Sequence, residues 1–342
     1  MDTGLKNKFN YTATVVFLSI VSLISGIYSI VLSQTGFLVL PITASFLACT
    51  FVFEKKHISS LTISVILILT DVCTCFFITH SFSSTFSVVI AILIAVWYKK
   101  GYRKSEAVFI VTAITTIMLI VLLVLILVDA YGVNSISSLI DSINIEFAKL
   151  KNLVFISLSN AQQANPDMES ELLNDEIISE LFNLLYESIP ALLIIFAFLL
   201  TGLTFKIFGG MILRYSSNEQ EIMRWRFITT PIFAYFYLTV LILSFIITTE
   251  GGLFTRALIN LELVFMSVFA YIGYTFTSAL LTVRTGRPSQ ASLLIILAIF
   301  AFSSLAFRIL AITGAIVVII HGKLSNNQNS DFIFTNDKSN KK

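Results

Sequence analysis

Charge is what this chain has least of. Only 12% of its 342 residues are Asp, Glu, Lys or Arg, about half the share found in soluble globular domains, while 56% are hydrophobic. That balance excludes a water-soluble fold with an ordinary polar coat. The net charge of +2 also leaves no basic footprint for nucleic acid. Histidine and cysteine are scarce, at three each. Cys49, Cys73 and Cys75 all fall inside apolar runs, which is not the layout of a disulfide framework. Cys73-Thr74-Cys75 sets two thiols about 200° apart on a helix, and the apolar runs place His57 and His321 at the inner membrane face and His80 at the outer face, so no metal site is expected. The P-loop, HExxH and GxSxG patterns are missing as well, and with them the chemistry that needs those spacings. The expectation is a protein that is not an enzyme, with no catalytic residue, metal or cofactor.

Long apolar runs are what the chain does have. A bilayer core about 30 Å thick needs roughly 20 apolar residues per helical crossing, and eight runs approach or exceed that length: 11–33, 36–53, 58–79, 82–97, 107–128, 189–213, 227–248 and 253–283. The first is too long for a cleaved signal peptide and no small-residue cleavage pattern follows it, so it reads as an uncleaved span. A ninth run, 291–320, would extend about 45 Å as one helix, well beyond the hydrocarbon.

The basic residues orient these spans, because short cytoplasmic loops collect Lys and Arg. With the amino terminus in the cytoplasm, all but four of the 22 Lys and Arg fall inside, the exceptions being Lys149, Lys151, Arg256 and Arg308. For the tail lysines Lys323, Lys338, Lys341 and Lys342 to lie inside, the ninth run must cross twice, as a hairpin turning near 303–308. The competing reading is one long tilted helix with Arg308 embedded and the tail outside. The expected fold is therefore an all-α polytopic bundle of about ten spans, eight full plus a C-terminal hairpin, with nine as the alternative. It sits in a bacterial cell membrane with both termini cytoplasmic. Its expected divisions are a five-span bundle over 1–133, an extracytoplasmic amphipathic insert over 134–188, a second membrane bundle over 189–322 and a disordered cytoplasmic tail over 323–342.

The insert holds nine acidic residues against Lys149 and Lys151. Ile136, Leu139, Ile140, Ile143, Phe147, Leu150 and Val154 recur at helical spacing, as do Leu173, Ile177, Leu181, Leu184 and Leu185, which predicts two amphipathic helices joined near 160–167. Helices that lie on lipid favour Lys and Arg on their polar face. These are acidic, which points to packing over the bundle mouth or against a partner, with a plain solvated cap as the alternative.

Polar residues inside the runs are the remaining candidates. Ser22, Ser25, Gly26, Ser29 and Ser33 form a small-residue stripe on the first span that permits close helix packing, within the chain or as a docking face for another membrane subunit. Ionisable groups in apolar runs are expensive and so become functional candidates. Asp71, Arg256, Asn260, Glu262 and Arg308 all map to the outer half of the bundle, as does Asp129, and Arg256 and Asn260 share a helix face at i and i+4. They predict an outward-opening pocket for a small solute. The alternative is that Arg256 and Arg308 snorkel to the surface while Asp71 and Glu262 pair internally.

Ser188-Ile189-Pro190-Ala191-Leu192-Leu193, Arg224-Trp225-Arg226-Phe227 ahead of Pro231, and Asn260-Leu261 followed by Gly273 resemble the YybS-like family of bacterial membrane proteins, a domain of unknown function. The acidic insert before a Pro-Ala span resembles it too. The resemblance implies a fold distantly similar to the substrate-binding S components of energy-coupling-factor transporters. It also implies that the stripe on the first span docks a membrane coupling subunit, with any ATPase on other polypeptides. Two functions follow as expectations: a solute-binding or transport component, or a membrane scaffold of envelope biogenesis. The first expects Asp71, Arg256, Asn260 and Glu262 around a cavity open to the outside. The second expects an exposed apolar groove on the insert.

Overall fold

The computed structural model describes residues 11–31, 36, 38–54, 56–77, 82–101, 104–132, 136–164, 175–215, 229–247, 252–285 and 305–322. Ser33, the turn at Gln34 and Thr35, the Arg224-Trp225-Arg226 connector, the 291–304 arm of the expected hairpin and the 323–342 tail lie outside those residues. Helices account for nearly all that is described, and no strand occurs among the described residues. They are α1 (Tyr11–Val31), α2 (Leu40–Phe53), α3 (Ile58–Phe77), α4 (Ser83–Lys100), α5 (Lys104–Tyr131), α6 (Ile136–Ala164), α7 (Asp175–Glu187), α8 (Ile189–Tyr215), α9 (Pro231–Ile246), α10 (Leu253–Thr285) and α11 (Leu305–Gly322).

Among the described residues, α4, α5, α8, α10 and α11 are long and apolar enough to cross a bilayer, and α1, α2, α3 and α9 contribute shorter apolar helices. The chain is a multi-pass helical membrane protein. α11 covers the downstream part of the final run and carries Arg308 in its first turn. α6 continues through the expected joint at Asn160 as far as Ala164.

The chain divides into two compact units: residues 1–189 with 196–226, and residues 190–195 with 227–342. In the first, α2 is apolar or small on every side and buried along most of its length, as a helix without a solvent or lipid face must be. Ala44, Ala48 and Cys49 on α2 and Ala91 and Ala95 on α4 are nearly inaccessible, and their small volumes let the two backbones approach. α4 ends properly for its sequence: Lys99 and Lys100 occupy the last turn, where the helix dipole favours cations, and Gly101 takes the left-handed conformation at φ 82° that closes it.

The serine stripe of α1 turns into this unit. Ser22 and Ser29 are fully buried. Ser29 Oγ lies 2.7 Å from Ser84 Oγ of α4, Ser84 Oγ donates to the Gly26 carbonyl at 2.7 Å, and Thr43 of α2 donates to Ser25 Oγ at 3.0 Å. At Gly26 a Cβ would sit 2.4 Å from a Leu67 methyl of α3. Each hydroxyl that serves as a donor there satisfies an acceptor that has no water to turn to.

The second unit is built differently. α10 and α11 cross with backbone against backbone. A Cβ on Gly273 would lie 1.9 Å from the Leu310 carbonyl oxygen, and one on Gly314 would lie 2.0 Å from that of Phe269. Ala311, Ala315 and Val318 continue the contact and are fully buried. α9 packs by aromatic rings: Tyr237 stacks on Phe269 at 5.1 Å, and Phe236 meets Phe265 edge-on at 5.3 Å.

Candidate functional site

Asp71 lies in α3 of the first unit and is completely buried. Its Oδ2 accepts the backbone N–H of Thr85 at 2.5 Å, in the first turn of α4, where Phe82 provides no side-chain cap. The first N–H groups of a helix have no intrahelical partner, and here a carboxylate on a neighbouring helix satisfies one of them. Its charge also suits the positive end of the helix dipole. Asp71 Oδ1 has no hydrogen-bond partner among the described residues.

Asn260 does the corresponding task in the second unit. Its Oδ1 accepts the N–H of Ala191 at 3.0 Å, in the first turn of α8, while its Nδ2 donates to the Arg256 carbonyl one turn back at 2.9 Å. Pro190, which has no N–H to satisfy, stands just before. Arg256 shares that stretch of α10 and is exposed.

Glu262, two residues beyond Asn260, is buried at 7% exposure. Arg308 reaches it from α11, with Nη2 3.3 Å from Oε1, and the guanidinium also lies over the Phe245 ring at 5.5 Å. The contact is an ion pair without hydrogen-bond geometry, so Glu262 Oε1 has no hydrogen-bond partner among the described residues, and neither does the fully buried hydroxyl of Tyr237 nearby. The structure thus brings Glu262 and Arg308 together, sets Asn260 and Arg256 on the adjoining turn and holds Asp71 in the other unit. Tyr237 was not legible as a member. Its sequence signal is one hydroxyl among several in an apolar helix, beside Tyr235, Thr239 and Ser244, and the exposed Tyr235 reads the same way.

The insert forms a helical pair inside the first unit. Phe147 of α6 meets Phe182 and Tyr186 of α7 edge-on at 6.4 and 5.5 Å, and Lys151 Nζ donates to Ser179 Oγ at 2.6 Å. Lys149 donates to the Tyr131 hydroxyl at the end of α5 at 2.7 Å and pairs with Glu146 at 3.0 Å. Phe182, Tyr186 and the buried Ile178 therefore define the face of α7 that holds α6. At about 100° per residue, Ile177, Leu181 and Leu184 fall on a separate face, and they are 42%, 58% and 63% exposed. On α6, Leu153, Val154, Phe155 and Ile156 point round the whole helix, and all four are exposed.

Residues 17–316 match the family described as "Predicted membrane protein (DUF2232)". The chain belongs to this family. Comparison with curated proteins and with solved structures returns no match. The family match runs from α1 into α11 and takes in the serine stripe, Asp71, the insert and the Glu262–Arg308 pair. The DUF2232 region therefore reaches into both units and includes every candidate residue.

No cluster of three or more His, Cys, Asp or Glu with metal-binding proximity occurs among the described residues. His57 is used elsewhere: it adopts φ 53° just before α3, and its Nε2 accepts from Lys99 Nζ at 2.9 Å. Glu54 folds over the same helix start, accepting the N–H groups of Ser59 and Ser60 at 2.7 and 2.9 Å and the Ser60 hydroxyl. Partial burial pushes its carboxyl up, but those donors outweigh the burial and hold it below the ordinary glutamate range.

Proposed function

We propose that this DUF2232 protein is a membrane interaction protein, without enzymatic activity, that presents α6 and α7 on the outer face of a bacterial cell membrane to organise envelope proteins. The observation that carries the reading is the exposed stripe Ile177, Leu181 and Leu184 on a helix whose other apolar face is already used to hold α6. A helix needs one apolar face to join its own fold, and a second one has work only if something else covers it. The positions of the basic residues support ten spans with both termini cytoplasmic and the insert outside. A photo-crosslinking residue at position 181 of the full chain in intact bacterial cells tests this. The expected product is a discrete adduct to another protein, and adducts to lipid alone would overturn it.

A second reading, a small-solute-binding or transport component resembling energy-coupling-factor S components, is favoured by the buried Glu262 with its half-exposed partner Arg308 and the nearby unsatisfied Tyr237 hydroxyl. Such a cluster pairs a recognition charge with polar atoms that a ligand would satisfy. Native mass spectrometry of the full chain released from membranes tests it. A retained small molecule that disappears in Arg308→Gln supports the reading, and identical spectra for the two proteins overturn it.

A further inference from the structure

We infer that the Glu262–Arg308 pair, together with Tyr237, holds a small zwitterion, a molecule with a primary ammonium close to an acidic group. The inference rests on the solute-binding reading above and names the class of its ligand. Tyr237 comes from α9, Glu262 from α10 and Arg308 from α11, all within the second unit. Tyr237 is fully buried and Glu262 nearly so, yet neither the Tyr237 hydroxyl nor Glu262 Oε1 has a hydrogen-bond partner among the described residues. Both charges lie close enough to act on that hydroxyl. Arg308 Nη2 stands 3.3 Å from Oε1, and its side chain is 44% exposed. The pair therefore balances charge without using its hydrogen bonds, and the exposed guanidinium is where a solute reaches it.

Buried polar atoms of a native fold are paired with protein, ordered water or ligand, and a bundle surrounded by lipid finds no bulk water to fall back on. The two charges decide among ligands. A lone cation meets the Arg308 guanidinium and a lone anion meets the Glu262 carboxylate, so like charge opposes each. A zwitterion complements both. Its ammonium donates to Oε1, its acidic group accepts from the fork of guanidinium N–H groups, and the Tyr237 hydroxyl hydrogen-bonds to either. Protein charges only 3.3 Å apart suit ligand charges joined by a short link, and a free α-amino acid and the headgroup of phosphatidylethanolamine both carry that pattern. A quaternary ammonium has no N–H for Oε1, so glycine betaine and phosphatidylcholine lack the donor the site needs.

The test uses the full chain in phosphatidylcholine nanodiscs, read by native mass spectrometry for the masses of adducts. The probes are an equimolar mixture of the standard L-amino acids, the same mixture N-acetylated, glycine betaine, and phosphatidylethanolamine added to the nanodisc lipid. Adducts of an amino acid or of phosphatidylethanolamine are expected, about tenfold or more above those of the N-acetylated mixture and of glycine betaine, because a buried acceptor left without its donor discriminates strongly. Amino-acid adducts assign the site to a free solute, and phosphatidylethanolamine adducts alone assign it to a lipid headgroup. Arg308→Gln is expected to abolish the adduct. Tyr237→Phe keeps the ring that stacks on Phe269 and removes only the hydroxyl, so the far-ultraviolet helical signal should stay unchanged while the adduct falls about fivefold. Equal adducts with the N-acetylated mixture, no adduct with any probe, or adducts undiminished in both variants overturn the inference. If the chain released from membranes retains a molecule without a primary amine, and Arg308→Gln loses it, the ligand class is wrong and the solute-binding reading stands. If nothing is retained and no probe binds, both fall.

Discussion

The two units solve the same problem, holding helices together where lipid supplies no hydrophobic drive, by opposite means. In the first, α1 joins α4 and α2 through hydroxyls: Ser29 with Ser84, Ser84 with the Gly26 carbonyl, Thr43 with Ser25. In the second, α10 and α11 meet through bare backbone at Gly273 and Gly314, and α9 joins by stacked rings. Hydroxyl contacts are directional and individually modest, averaging about 0.6 kcal/mol in membrane proteins. Backbone contacts have no side chain that yields when something larger is introduced. The first unit should therefore degrade in small steps and the second in one.

The largest expected effect tests that difference directly. Gly314→Val puts branched carbons where a single Cβ already lies 2.0 Å from the Phe269 carbonyl and 2.8 Å from the Gly273 nitrogen, so α11 must leave α10. A loss of about 3 kcal/mol or more is expected, at the upper end for overpacked cores, read as a lower midpoint of thermal unfolding by circular dichroism in detergent. Gly26→Val is the control in the first unit. Its nearest neighbours are the flexible methyls of Leu67, and it should cost less than half as much. Equal losses would erase the contrast.

Next in size is Asp71. Asp71→Leu removes the acceptor for Thr85 N–H and buries an orphan donor in its place, a change worth about 2 kcal/mol. Asp71→Asn keeps the acceptor and should recover about half. Cys49 is inaccessible, so the rate at which a thiol-reactive dye labels it in a Cys73→Ser, Cys75→Ser background reports opening of the first unit. Labelling of the Asn variant as fast as the Leu variant would show that the charge, and not the hydrogen bond, holds α4.

Much of this was legible in the sequence because one-dimensional signals carried it. The apolar runs gave most of the helices, the Ile177, Leu181 and Leu184 spacing gave the amphipathic α7, and the i, i+4 relation put Asn260 one turn from Arg256. What the sequence hid was which helix each polar group serves. Asp71 reads as an embedded charge, and only the meeting of α3 with α4 makes it a cap, while Asn260 caps α8 across 69 positions of sequence. Glu262 and Arg308 were each visible, but their pairing depends on how α10 and α11 cross. That crossing is set by Gly273 and Gly314, residues that announce nothing about partners. The seam between α2 and α4 was similarly hidden, because alanines and serines in an apolar run look alike whether they face lipid or another helix.

A smaller effect sharpens the hydroxyl side of the comparison. In a double-mutant cycle of Ser29→Ala and Ser84→Ala, the 2.7 Å pair should show a coupling of about 0.5 to 1 kcal/mol. Each single change should lower stability by a similar amount, measured by Cys49 labelling as above. Zero coupling would mean that the carbonyls of Gly26 and Ser29, and not the hydroxyl pair, carry the contact between α1 and α4.

The smallest effect concerns the third cap, and it separates buried caps from exposed ones. Glu54 holds the start of α3 as Asp71 holds the start of α4, but it is only partly buried and keeps water close by. Its carboxyl titrates below its unfolded value near 4.5, so the stability it contributes is fully present above that value. It is lost as pH falls through the lower folded value. Because solvent screens an exposed group, the contribution is about 0.5 kcal/mol, at the low end for caps. Between pH 7 and pH 3 the wild type should therefore lose slightly more stability than Glu54→Gln, and the two melting curves should converge toward pH 3. A gap between them that widens on acidification would mean that the carboxylate is not what holds Ser59 and Ser60.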